Sequence, residues 1–157
     1  MIVYGLIGKS LLHSRSSEYF RNKFIRENIN DVDYQNIPLE DLQELPELIR
    51  KTENLAGLNV TNPYKIDVLK FLTGTDPVAR EIGAVNCIKI IRQGKSIDLL
   101  GYNTDAEAFG ETLKPLLRKD HKRALVLGTG GASKAAIYSL KRMNIKFTLV
   151  SRQNGPG

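Results

Sequence analysis

The sequence predicts an α/β protein of two units in series. A mostly parallel sheet with its crossover helices occupies residues 1–102, and a linker helix leads into an incomplete Rossmann-type dinucleotide-binding unit over residues 103–157. Three observations carry this. Short apolar runs at Met1 to Gly8, Asp33 to Ile37 and Leu55 to Val60 alternate with stretches of helical periodicity, which implies right-handed crossovers between parallel strands. Two further apolar runs, Cys87 to Ile91 and Ser96 to Leu100, flank the turn Gln93-Gly94-Lys95 and read as an antiparallel hairpin closing that sheet. Finally, the strand Ala124 to Leu127 feeds a Gly-rich turn, a helix from Lys134 to Met143 and a strand from Phe147 to Val150.

Taken in order, the first strand is too short for a signal peptide or a membrane span, so no membrane partner is expected. The loop Lys9 to Ser17 is rich in hydroxyls, and Ser16 or Ser17 is expected to cap a helix from Glu18 to Ile29. That helix packs Phe20, Phe24, Ile25 and Ile29 on the sheet. Three serines at Ser14, Ser16 and Ser17 exceed what one cap needs, which leaves Ser14 and Ser16 as either turn residues or ligands. After the second strand, a helical stretch from Leu39 towards Lys51 should break or restart at Pro46.

The third strand runs into Thr61-Asn62-Pro63-Tyr64-Lys65. Asn62 is expected to cap a helix that opens with Pro63 and continues to about Leu72. Thr61 and Lys65 then lie at the carboxyl end of a strand and on the next helical turn, the rim where open α/β sheets bind ligands. Ile82 to Asn86 leads into the hairpin, and Gly101-Tyr102-Asn103-Thr104-Asp105 follows it. Thr104 with Glu107 has the spacing of a capping box, and Ala108, Phe109, Leu113, Leu116 and Leu117 form an apolar stripe interrupted near Pro115. Asp105 is thereby a first-turn acid, favoured by the helix dipole or kept for chemistry.

The Gly-rich turn has a mechanism for each position. Gly128 makes the tight turn, and Gly130 and Gly131 let backbone amides approach a pyrophosphate at the helix start. Thr129 and Ala132 complete the turn, and Ser133 stands where the fingerprint carries a third Gly or Ala. After the second strand comes Ser151-Arg152-Gln153, with no acid for a ribose hydroxyl and an Arg whose planar fork suits a phosphate, which favours NADP over NAD.

Composition excludes several classes. A chain of 157 residues with 41% hydrophobic side chains has room for one good core or two small ones. The single cysteine, Cys87, rules out an internal disulfide framework and gives no metal cluster, and it points to a reducing, cytoplasmic setting in which it fills a small buried space. The net charge of +6 is scattered, and its densest run, Arg118 to Arg123, contains Asp120 and no aromatic, so nucleic acid is not an expected partner. A mild positive field suits an anionic small molecule or a phosphate-bearing cofactor.

Taken together, the motifs resemble the shikimate dehydrogenase family across essentially the whole chain. Gly5-Leu6-Ile7-Gly8 with His13-Ser14-Arg15-Ser16, then Asn59 to Lys65, Gly83 to Asn86, Gly101 to Asp105 and the Gly128 turn follow the family's order. The resemblance implies NADP-dependent reduction of 3-dehydroshikimate to shikimate in aromatic amino acid biosynthesis. It implies that Ser14 and Ser16 hold the substrate carboxylate, that Thr61, Asn86 and Asp105 fix the ring hydroxyls, and that Lys65, with Asp105 beside it, acts at the reacting oxygen. Two alternatives stay open: a quinate and shikimate dehydrogenase, or a chain that binds shikimate without turnover. A monomer or homodimer is expected. Departures are Ser10 and Ser17, where the family usually has Pro, and Cys87, where it often has Thr. The family also continues for roughly another hundred residues, the size of a further domain.

Overall fold

The computed structural model describes residues 1–151. Strand β1 (Ile2–Gly8) leads into helix α1 (Ser16–Arg26), whose phenylalanines Phe20 and Phe24 pack beside Leu6, Leu11 and Tyr34. The helix ends short of the expected Ile29 because Asn28 turns to φ +53, and Ile25 and Ile29 stay exposed at 76% and 40%. Strand β2 (Val32–Pro38) follows, and then a 3-10 turn over Leu42–Glu44 capped by the Asp41 carboxylate. Helix α2 (Leu45–Lys51) restarts with Pro46 in its first turn, where the missing N–H costs nothing. Strand β3 (Leu55–Val60) lies in the middle of the core.

The helix expected from Pro63 to Leu72 does not form. Turns carry the chain to a 3-10 helix over Asp67–Phe71. The reason is hydrogen bonding: the Lys65 carbonyl accepts the Val85 amide at 2.7 Å, and Leu69 N–H closes back on Ile66, so no α-helical ladder propagates. Tyr64 is buried, and its hydroxyl donates to the Leu39 carbonyl at 2.6 Å, which holds this segment down.

Strand β4 (Gly74–Thr75) and helix α3 (Pro77–Ile82) are additional to the expected elements. Asp76 caps α3 through the Ala79 amide at 2.9 Å, and Gly83 ends it at φ +67. The hairpin of β5 (Cys87–Gln93) and β6 (Ser96–Tyr102) forms as expected. The first sheet has the order β2-β1-β3-β5-β6-β4, with β1 parallel to both β2 and β3 and the hairpin joined antiparallel to β3. Its core includes Ile7, Leu45, Leu55, Val60, Val68, Val85 and Ile88, all fully buried.

Helix α4 (Asp105–Leu113) runs into a 3-10 turn over Lys114–Leu116. Its fully buried face is Ala106 and Gly110; of the expected stripe, Leu113 and Leu117 pack beside Val126 and Leu140, whereas Phe109 and Leu116 are 37% and 68% exposed. Small residues face inward because α5 (Gly131–Arg142) lies close against α4. The Ser139 hydroxyl donates to the Ala106 carbonyl at 2.5 Å across that contact. Strands β7 (Arg123–Leu127) and β8 (Lys146–Val150) pair in parallel beside α5. Of the apolar run in β7, Val126 is buried, whereas Leu125 and Leu127 are 64% and 72% exposed on the face away from α5.

Candidate functional site

The site begins with a glycine. A Cβ on Gly8, at the end of β1, would lie 2.6 Å from Thr61 Cγ2 and 3.0 Å from the Asn62 carbonyl. Only glycine lets the segment after β3 cross here, where the Thr61 amide donates to Ile7 O at 2.9 Å. The loop after β1 is then free to bring its serines over the same strand ends. Ser14 Oγ accepts the Ser16 amide at 3.2 Å, while Arg15, not Ser16 or Ser17, occupies the capping position of α1. The expected serine cap is therefore replaced by a local turn bond from Ser14.

Lys65 is fixed at both ends. Its carbonyl is held by Val85, and its Nζ donates to Asp105 Oδ2 at 2.6 Å. Asn86 completes the group: Nδ2 donates to Asp105 Oδ1 at 2.7 Å and to Thr104 Oγ1 at 2.9 Å, and Oδ1 accepts the Thr104 amide at 2.9 Å. Asn86 is buried, so a satisfied amide is what its position demands. Because Thr104 is engaged by Asn86, it forms no capping box; Asn103 Oδ1 accepts the Ala106 amide at 3.2 Å and caps α4 instead. Asp105 stays in the first turn, where the helix dipole favours its charge.

Ser14, Ser16, Thr61, Lys65, Asn86 and Asp105 all line one open cleft of about 430 Å³. The Lys65 and Asp105 side chains are 16% and 31% exposed, enough to reach a ligand while shielded from bulk water. His13, Arg15 and Asn59 line it as well, and the sequence alone assigns none of them a role. The place of Asn59 shows only in its contacts: Tyr34 donates to Asn59 Oδ1 at 2.7 Å across β1. Chemically the cleft offers hydroxyls, amides and a guanidinium together with a paired ammonium and carboxylate.

The Gly-rich turn abuts this group. Gly128 sits at φ +102, and Gly130 has open space where a Cβ would be. The N-cap of α5 is Gly130, which has no side chain to occupy the first-turn amides, so these amides fit a pyrophosphate. Gly131 is different: it is buried, with its Cβ position 2.7 Å from Lys65 Cβ. Thr129 and Ala132 are exposed, Ser133 is half-buried, and Ser151 follows β8 on the surface. Arg152, the residue expected at the cofactor phosphate, lies outside the described residues. Among the described residues, no helix is long and apolar enough to cross a membrane.

Comparison with known proteins bears on the family and the fold. The family model for the shikimate dehydrogenase substrate binding domain matches residues 6–88. The NADP(+) shikimate dehydrogenase of Caldicellulosiruptor bescii is 41% identical over 94% of this chain and 51% of its own length. Shikimate dehydrogenase 1 from Peptoclostridium difficile superposes with a TM-score of 0.84 at 34% identity, covering 96% of this chain and 60% of that one. The Thermus thermophilus shikimate 5-dehydrogenase, solved in complex with NADP(H) and shikimate, gives 0.82 at 28% identity, covering 98% and 57%. The chain spans about half the length of the curated relatives it matches. On the fold, the cleft and these matches, the chain belongs to the shikimate dehydrogenase substrate-binding domain family.

Proposed function

We propose that this chain is the substrate-binding and first cofactor-binding part of an NADP-dependent shikimate dehydrogenase, with residues 1–102 holding the substrate and residues 103–157 beginning the cofactor unit. The observation that carries this reading is the Lys65–Asp105–Asn86 group, hydrogen-bonded on the wall of the cleft that Ser14 and Ser16 line. Ser14 and Ser16 hold the shikimate carboxylate. Thr61, Asn86 and Asp105 hold ring hydroxyls as acceptors and donors of fixed direction.

Lys65 lies at the reacting oxygen. When bound at Gly128 to Ser133 with Ser151 and Arg152, NADPH supplies the hydride that adds to the carbonyl carbon of 3-dehydroshikimate. The oxygen gains negative charge as that bond forms, and the Lys65 ammonium delivers the proton that makes it a hydroxyl. Asp105 holds the ammonium in place through its Oδ2, so the proton starts from a defined position. The single cysteine supports a reducing, cytoplasmic setting for a monomer or homodimer.

The test is NADPH oxidation with 3-dehydroshikimate, compared with NADP(+) reduction on shikimate and on quinate. Lys65→Ala is expected to lower turnover by roughly 10²–10⁴-fold, the range for losing a general acid, with shikimate binding largely kept. A Lys65→Ala protein as fast as the unaltered one removes Lys65 from the proton step.

A further inference from the structure

Gly128, Gly130 and Gly131 share one turn, yet their surroundings differ. Gly128 carries a positive φ, and Gly130 faces open space. Gly131 has an ordinary backbone and no space: a Cβ would lie 2.7 Å from Lys65 Cβ, 3.2 Å from Lys65 Cδ and 3.5 Å from Ala84 Cβ. Real Cβ atoms essentially never approach at the first of these distances. The Lys65 stem cannot retreat along the backbone, because its carbonyl is held by Val85 N–H at 2.7 Å, and its ammonium is tied to Asp105 at 2.6 Å. The stem is thus gripped between the start of α5 and the Asp105 carboxylate.

We infer that Gly131 is a positioning residue for Lys65: the absence of a side chain there seats the cofactor turn on the lysine stem and fixes where the ammonium points. This rests on the proposed function for its catalytic meaning, but the contact itself does not. The small residue at this point of the turn therefore serves the substrate side of the site as well as any phosphate. Asp105 begins α4 and Gly131 begins α5, and these two helices are packed together. A side chain at residue 131 forces either the lysine off Asp105 or α5 off α4.

The experiment compares the 157-residue chain with Gly131→Ala and Gly110→Ala. Gly110 is the control for the same helix contact, since a Cβ there meets Met143 Cε at 3.3 Å, the flexible end of a side chain, and its other nearest atoms belong to Ser139 rather than to Lys65. Two readouts are taken: the Lys65 Cε resonances by NMR, and kcat and KM for shikimate. Gly131→Ala is expected to shift the Lys65 resonances and lower kcat by at least about tenfold with little change in KM, as expected when a reacting group is moved by a fraction of an ångström to about 1 Å. Gly110→Ala is expected to do neither.

Unmoved Lys65 resonances in Gly131→Ala, or equal changes in Gly110→Ala, overturn the inference. If the unaltered chain does not bind shikimate, the proposed function fails, while the resonance shift still decides the role of Gly131; if it binds shikimate without turnover, the resonance shift alone decides. If Gly131→Ala does not fold, Lys65→Gly with Gly131→Ala is added: recovery of folding supports the clash with Lys65 as the cause, and continued failure to fold contradicts it.

Discussion

The two sheets of this molecule use the same strand–helix–strand pattern to different effect. In the six-stranded sheet, β1 and β3 bury Ile7, Leu55 and Val60 against elements on the sheet faces, and the rim at their carboxyl ends is fixed tightly enough to hold a polar site. In the two-stranded sheet, α5 covers one face through Val126 and Leu140, and the other exposes Leu125, Leu127 and Val150. Strand sequences of similar hydrophobicity thus have different consequences according to what covers them. Apolar area removed from water stabilises, and apolar area left in it does not.

The sharpest probe of that contrast is a matched pair of leucine deletions. Leu45→Ala removes a fully buried side chain and is expected to cost about 3 kcal/mol, whereas Leu125→Ala should stay within about 0.5 kcal/mol. Equal losses in urea titrations would remove the distinction. Gly8→Ala comes next, because its Cβ meets backbone and Thr61 together and neither can give. A loss of about 1–3 kcal/mol is expected, with displaced Thr61 signals in NMR spectra.

A smaller effect belongs to Tyr34, which stacks on Phe20 at 4.4 Å and donates to Asn59. Tyr34→Phe keeps the ring and loses one hydrogen bond, for about 1 kcal/mol. Burial, with a lesser contribution from Cys87, lifts the Tyr34 phenol above its ordinary range. Above about pH 10 the unfolded chain therefore releases this proton before the folded one does. The contribution is complete below that pH and is lost as pH rises further, so Tyr34→Phe should flatten the alkaline fall in stability. The smallest effect is at Cys87, whose thiol burial pushes up: alkylation at about pH 8 should be slower than for a free thiol and accelerate on unfolding.

Strand positions were legible because alternation and apolar runs are local signals. β3 matches its expected bounds, and the hairpin and both strands of the second sheet extend theirs by two residues or fewer. The candidate substrate residues Ser14, Ser16, Thr61, Lys65, Asn86 and Asp105 were legible as motifs, and they line one cleft. Partner choice was not legible. Thr104 and Asn103 are adjacent and both can cap a helix; only the demand of buried Asn86 for a partner assigns Thr104 to it and leaves capping to Asn103. Likewise, nothing local in Pro63 to Leu72 shows that the Lys65 carbonyl is claimed by Val85, twenty residues on. Asp76 and Pro77 followed by Gly83 do carry the start and stop signals of α3, which were readable from capping rules.

Whether these residues form a shikimate site is decided by titrating the isotopically labelled 157-residue chain with shikimate and following it by NMR. Saturable shifts concentrated at Ser14, Ser16, Thr61, Lys65, Asn86 and Asp105 are predicted, with the exposed face of β7 and β8 unmoved. No saturable shifts, or shifts centred away from that cleft, would contradict the assignment.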